Sequence, residues 1–147
     1  MRLARVFSVV TFVIVAFAPC FAHHTAVIVN KENNVGQMTS AHLSKMLRGE
    51  IKKWPDGKPV VLVLHKDSSG EMETLERLNK MSVEQLKASF ATEKDSLLWV
   101  DNDADVVKQV QTTPGALGLV DVKSVDGSIR VVRIDGKLPM ESGYLPH

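Results

Sequence analysis

Unbroken apolar runs alternate with stretches whose apolar residues recur every three or four positions, and that alternation organises the chain. Val60-Val61-Leu62-Val63-Leu64 is too short and too branched for a helix, so it predicts a strand buried on both faces. A polar loop follows, and Met72, Leu75 and Leu78 predict a helix from near Gly70 to about Lys80. Upstream, Thr25 to Asn30 is a β-branched apolar run and predicts a first strand. Thr39 or Ser40 can cap a helix with Leu43, Met46 and Leu47 on its apolar face, ended by Gly49 in a left-handed conformation. Glu50 to Pro59 holds two prolines and a glycine and reads as a turn-rich connection, with Trp54 as a packing plug.

Downstream, Ser82 and Gln85 have capping-box spacing ahead of a helix carrying Val83, Leu86 and Phe90. Ser96 to Val100 fits either an irregular core plug or a brief strand. Asp101-Asn102-Asp103-Ala104-Asp105 has the look of a calcium loop, but Val106 stands where the loop needs glycine and Thr112 where it needs glutamate. Capping of a helix with Val106, Val107 and Val110 is the better reading. Thr112-Thr113-Pro114-Gly115 stops that helix. Ala116 to Val122 predicts a strand in which Gly118 leaves room for a close neighbour. Ile129 to Ile134 predicts the last strand, at an edge, and the tail from Asp135 to His147 reads as irregular. The alternation predicts an α/β domain, a small sheet covered by helices on its faces.

Composition adds a compartment. The 147 residues, 44% hydrophobic and 24% charged, suit one compact domain. Residues 1–22 differ in kind: Arg2 and Arg5 precede an apolar run from Val6 to Ala18, and Cys20-Phe21-Ala22 supplies small residues where a signal peptidase reads. The expectation is a cleaved secretory signal at 1–22 and a mature domain at 23–147. Losing Arg2 and Arg5 turns the net charge from +1 to −1, which gives no electrostatic case for nucleic acid. The only cysteine leaves with the signal, so the mature chain has no disulfide and no thiolate metal site. Cleavage after Ala22 exposes His23 and His24. A copper brace there would need a third nitrogen from His42, His65 or His147, and a frayed end is the simpler reading. No cofactor and no metal site is expected.

The chemistry concentrates in the loop after the central strand. Amides in the first turn of a helix have no intrahelical partner and carry the positive end of its dipole, so Asp67-Ser68-Ser69-Gly70-Glu71 is a candidate anion cradle. Three segments, in order, now resemble phosphate-type periplasmic solute-binding proteins of ABC transporters. Leu43 to Ile51 with Trp54 is similar to their helix, Gly-Glu-Ile and Trp segment; Asp67-Ser68-Ser69-Gly70 to their Ser-Gly-Thr anion loop; and Thr113 to Val120 to their Thr-Pro-Gly-Ala-Ile-Gly-Tyr-Val segment.

The resemblance implies one lobe of a type II periplasmic-binding-protein fold, a three-layer-like domain with a small, mostly parallel sheet. It also implies a tetrahedral oxyanion such as inorganic phosphate, held by amides and hydroxyls. The ligand-binding residues it implies are His65, Asp67, Ser68, Ser69, Gly70 and Glu71. Two depart from the family pattern: His65 stands where an arginine usually precedes the loop, and Glu71 stands where the threonine belongs. One lobe offers one wall of a cleft, and a homodimer would supply the second.

The leading expectation is an exported, periplasmic, non-enzymatic protein that binds phosphate or a related oxyanion weakly and works with an ABC permease or another envelope protein. The alternative is a non-catalytic interaction module on the same fold with a degenerate site. No residue is expected to be catalytic: no nucleophile turn is present, and Ser69 has only His65 nearby as a base.

Overall fold

The computed structural model describes residues 24–91 and 94–146. The expected signal segment, its cleavage site, His23 and His147 lie outside them. Five strands form the main sheet: β1 (Thr25–Asn30), β3 (Val61–His65), β4 (Leu97–Val100), β5 (Ala116–Asp121) and β6 (Ile129–Val131), in the order β4-β3-β5-β1-β6. β3 pairs in parallel with both β4 and β5, whereas β1 pairs antiparallel with both β5 and β6. Among the described residues, four strands therefore run one way and β1 runs against them, a mostly parallel sheet.

The long apolar runs are explained by two covered faces. On one, Val27, Val29, Leu62, Leu64, Leu117 and Leu119 pack with α1 (Ser40–Leu47), α2 (Ser69–Asn79) and α3 (Val83–Ser89) through Leu43, Met46, Leu47, Leu75 and Leu86. On the other, Ala26, Ile28, Val63, Ala116 and Val120 meet Val106, Val107 and Val110 of α4 (Asp103–Thr112). Successive strand residues point to opposite faces, so a strand covered on both sides reads as a continuous apolar run.

The helix ends follow local chemistry. The Thr39 side chain accepts from the His42 amide and caps α1, and Gly49 follows with φ +75°. Ser82 and Gln85 form both bonds of a capping box at α3. Asn102 caps α4 by accepting from the Asp105 amide, so the acidic run 101–105 is a helix start. Trp54 is buried, and its Nε1 donates to the Gly115 carbonyl at 2.9 Å. Residues 97–100 are a strand rather than a plug, at the edge of the sheet beyond β3.

The expected last strand is divided. Val131 ends β6, and Arg133–Ile134 forms β7, which pairs in parallel with a two-residue strand, β2 (Gln37–Met38), in a separate small sheet. The tail is irregular as expected, but it is anchored. Tyr144 is 2% exposed; its hydroxyl accepts from the Val27 amide at 3.2 Å and donates to the Val132 carbonyl at 2.6 Å, bridging β1 to the break in the last strand. Tyr144→Phe leaves both backbone groups without their partner in a dry setting, so it is expected to destabilise the domain by about 2 kcal/mol in urea denaturation.

Candidate functional site

The carboxyl ends of β3 and β5 and the start of the antiparallel β1 meet at one edge of the sheet, the place where open α/β sheets gather polar chemistry. β3 ends at His65, the loop turns at 66–68, and α2 begins at Ser69 with Ser68 as its N-cap. The Ser68 side chain makes no capping bond, and the first turn closes with Met72 N donating to the Ser68 carbonyl at 3.0 Å. The amides of Ser69, Gly70 and Glu71 precede the first acceptor their own helix can offer and sit at the positive end of its dipole.

These residues line a cavity of about 170 Å³ formed by Thr25, Asp67, Ser68, Ser69, Gly70, Glu71 and Asp121. Five of the six residues expected from sequence are thus brought together around one space. The sixth, His65, is not among the lining residues. Its Nδ1 lies 2.9 Å from Asp103 Oδ1 and 3.8 Å from Glu71 Oε2.

Asp103 is the organising residue that sequence reasoning missed. Its Oδ2 accepts from the Asp121 amide at 2.9 Å and from the Ser124 hydroxyl at 3.0 Å, while Oδ1 faces His65. One carboxylate thereby ties the start of α4 to the end of β5 and the end of β3, and an imidazole proton on Nδ1 fits the acceptor opposite it. Thr25 and Asp121 were also missed. They are paired across the β1–β5 ladder and come together only through that register. A polar residue at a strand terminus was the one available signal, and it does not identify its partner strand.

Glu71 has a different environment from the one its charge suggests. The residue is 3% exposed, and its Oε2 is buried without a hydrogen-bond partner among the described residues. Burial first, and then the Asp103 carboxylate beside it, push its pKa from 4.5 up to about 9, with the Ser68 hydroxyl pulling the other way. The side chain is therefore a neutral acid at pH 7, able to donate a hydrogen bond, and the repulsion its position implies for an anion is largely removed.

Lys66 does not supply positive charge to the cavity. Its ammonium lies 2.5 Å from Asp101 Oδ1, and this pair, on the solvent side, raises the lysine and lowers the aspartate. The lining residues include three acidic side chains and no lysine or arginine. Hydrogen-bond donors here come from backbone, hydroxyls and one protonated carboxyl.

Comparison with known proteins agrees with this architecture. The family model described as a PBP superfamily domain matches residues 17–137. Among solved structures, a putative phosphate ABC transporter substrate-binding protein with bound phosphate from Clostridium perfringens aligns with a TM-score of 0.67 at 24% identity, over 79% of this chain and 46% of that one. An ABC-type phosphate transport receptor from Vibrio cholerae gives 0.65 at 20% identity, over 79% and 48%. PstS from Borrelia burgdorferi gives 0.64 at 20% identity, over 79% and 49%. The likeness is one of fold, and this chain spans about half the length of the proteins it matches.

Proposed function

We propose, for a chain that belongs to the PBP superfamily, that it is an exported solute-binding domain of the periplasm whose cavity at the start of α2 takes inorganic phosphate or a related oxyanion. The observation that carries the reading is the helix start itself: amides of Ser69, Gly70 and Glu71 with no side-chain cap, opening into a cavity that Ser68, Ser69 and Gly70 line. Hydroxyls and amides donate to anionic oxygens, and the protonated Glu71 adds one more donor. Asp67 and Asp121 at the same cavity favour an oxyanion that still carries a proton, because a carboxylate accepts from a P–OH and repels a fully ionised oxygen. Binding of this kind is weak, since the space has one wall and the described residues that line it include no cationic side chain. A second copy of the chain, an ABC permease or another envelope protein are the partners that would complete the setting.

Calorimetric titration with phosphate and sulfate tests the reading. Phosphate is expected to bind in the millimolar range or tighter and sulfate more weakly at neutral pH; no heat and no thermal shift with millimolar phosphate would remove it. Ser69→Pro makes the test specific. Proline is tolerated at the first helical position, and Ser68 already has the extended backbone, φ −84° and ψ 103°, that a following proline needs. The variant should fold and lose phosphate affinity by about tenfold, the equivalent of one charge-assisted hydrogen bond. Ser69→Ala, which keeps the amide, separates the hydroxyl's share.

A second reading, a non-catalytic envelope interaction module with a degenerate ligand site, is favoured by the three acidic residues, and no basic one, among the described residues that line the cavity. It expects no phosphate binding by the native protein and its appearance in the double variant His65→Arg, Glu71→Thr.

A further inference from the structure

Three groups that sequence spacing does not connect converge behind the cavity. His65 closes β3, Glu71 lies in the first turn of α2, and Asp103 opens α4. One ligand atom from each lies within 4.8 Å of the other two, and the His65 Nδ1 separations are 2.9 Å to Asp103 Oδ1 and 3.8 Å to Glu71 Oε2. A tetrahedral zinc ion at about 2.0–2.2 Å from each donor holds its ligands about 3.3–3.6 Å apart, so small side-chain rotations suffice to admit one.

Convergence of acidic groups alone would carry little weight. The independent observation is Glu71 Oε2, a carboxyl oxygen on a residue 97% buried, 3.8 Å from His65 Nδ1 and without a hydrogen-bond partner among the described residues. Buried polar oxygens are nearly always paired, and an orphan aimed between an imidazole nitrogen and a second carboxylate is placed as a ligand would be. The surroundings are also those of a metal site. Asp103 Oδ2 is fixed by the Asp121 amide and the Ser124 hydroxyl, which orients Oδ1, as the outer partners of a metal carboxylate do.

We propose that His65 Nδ1, Glu71 Oε2 and Asp103 Oδ1 bind a divalent transition-metal cation, zinc by preference, with its remaining coordination position toward the cavity that Glu71 also lines. One imidazole and two carboxylates suit zinc, whereas calcium demands six to eight oxygens and magnesium a near-ideal octahedron. On binding, the imidazole proton moves from Nδ1 to Nε2 so that the ring stays neutral, and the Glu71 carboxyl gives up its proton to solvent, so uptake of the cation releases one proton. The cation compensates the buried carboxylates and brings positive charge to a cavity whose lining residues include no lysine or arginine. The metal site stands whether or not the cavity takes an oxyanion.

The test is a zinc titration of the mature, chelator-treated protein in the absence of phosphate, read by calorimetry and thermal shift and repeated with cobalt for its visible absorption. One-to-one binding with a rise in Tm is expected, and Glu71→Gln and His65→Asn should each weaken it by at least about tenfold. Glu71→Gln keeps the buried volume and removes the ligand, so it decides the matter even if the histidine variant fails to fold. No zinc-dependent shift in the native protein overturns the proposal. So does equal affinity in the native protein and Glu71→Gln, which would place the metal elsewhere, for instance on the His23-His24 pair. Zinc binding that Glu71→Gln abolishes, in a protein indifferent to phosphate with or without the metal, upholds the metal site and removes the oxyanion reading.

Discussion

Between pH 5 and pH 8 the metal-free protein is expected to lose about 4 kcal/mol of unfolding free energy, and Glu71→Gln is expected to remove most of that slope. Glu71 is raised from 4.5 to about 9 by burial and by Asp103. Across the window between those values the native state holds a proton that the unfolded chain has released. Stability is then fully present below the unfolded pKa and falls as pH rises toward the folded one, at about 1.4 kcal/mol per unit. For a small domain with a net stability of about 5–15 kcal/mol this is a large fraction, so mild alkali alone should bring the native protein near its unfolding threshold. Denaturant midpoints measured in chelator from pH 5 to pH 9, for both proteins, check it. A native curve as flat as that of Glu71→Gln would mean that the carboxyl is ionised in the folded state, and the donor role assigned to it would fall as well.

The same residue shows how far sequence carries. That it stands where a strand and turn give way to an amphipathic helix was legible, because strand, turn and helix have different apolar periods, although the helix begins two residues before it, at Ser69. Its protonation state was not, because that depends on how completely α2 and the sheet cover it and on Asp103, which is 32 residues away in the chain. Leu62, Leu64 and Val63 announced a strand covered on both faces, and Ser82 with Gln85 announced a helix start, since each signal is complete within a few residues. Asp103, Thr25 and Asp121 required the β1–β5 register and the placement of α4 beside the sheet. Sequence also read residues 129–134 as one strand. Val132 interrupts it because Ile129–Val131 is claimed by β1 and Arg133–Ile134 by the short β2, and the partner of two-residue pairing leaves no apolar run to read.

Gly115→Ala is expected to destabilise the domain by about 3 kcal/mol or more, although the added atom is a single methyl. Gly115 lies just before β5, where the Val61 amide and Trp54 Nε1 both donate to its carbonyl, at 3.0 and 2.9 Å. A Cβ built there would stand 2.0 Å from the Pro59 carbonyl oxygen and 3.2 Å from its carbon. Those are backbone atoms, with no side chain that could swing aside. Relief requires the 59–61 segment to move away from the start of β5, and that movement pulls on both hydrogen bonds and on the buried indole. Gly127→Ala is the matched control: nothing lies within 4 Å of its Cβ position, and its φ is not in the left-handed region, so its change should stay within about 0.5 kcal/mol. Urea midpoints at unchanged m-value separate the two. Because Gly115 sits at the opposite end of β5 from Asp121, the folded fraction of Gly115→Ala should keep the native zinc and phosphate affinities; an alanine variant as stable as the native protein would show that the two backbones can part there without loss.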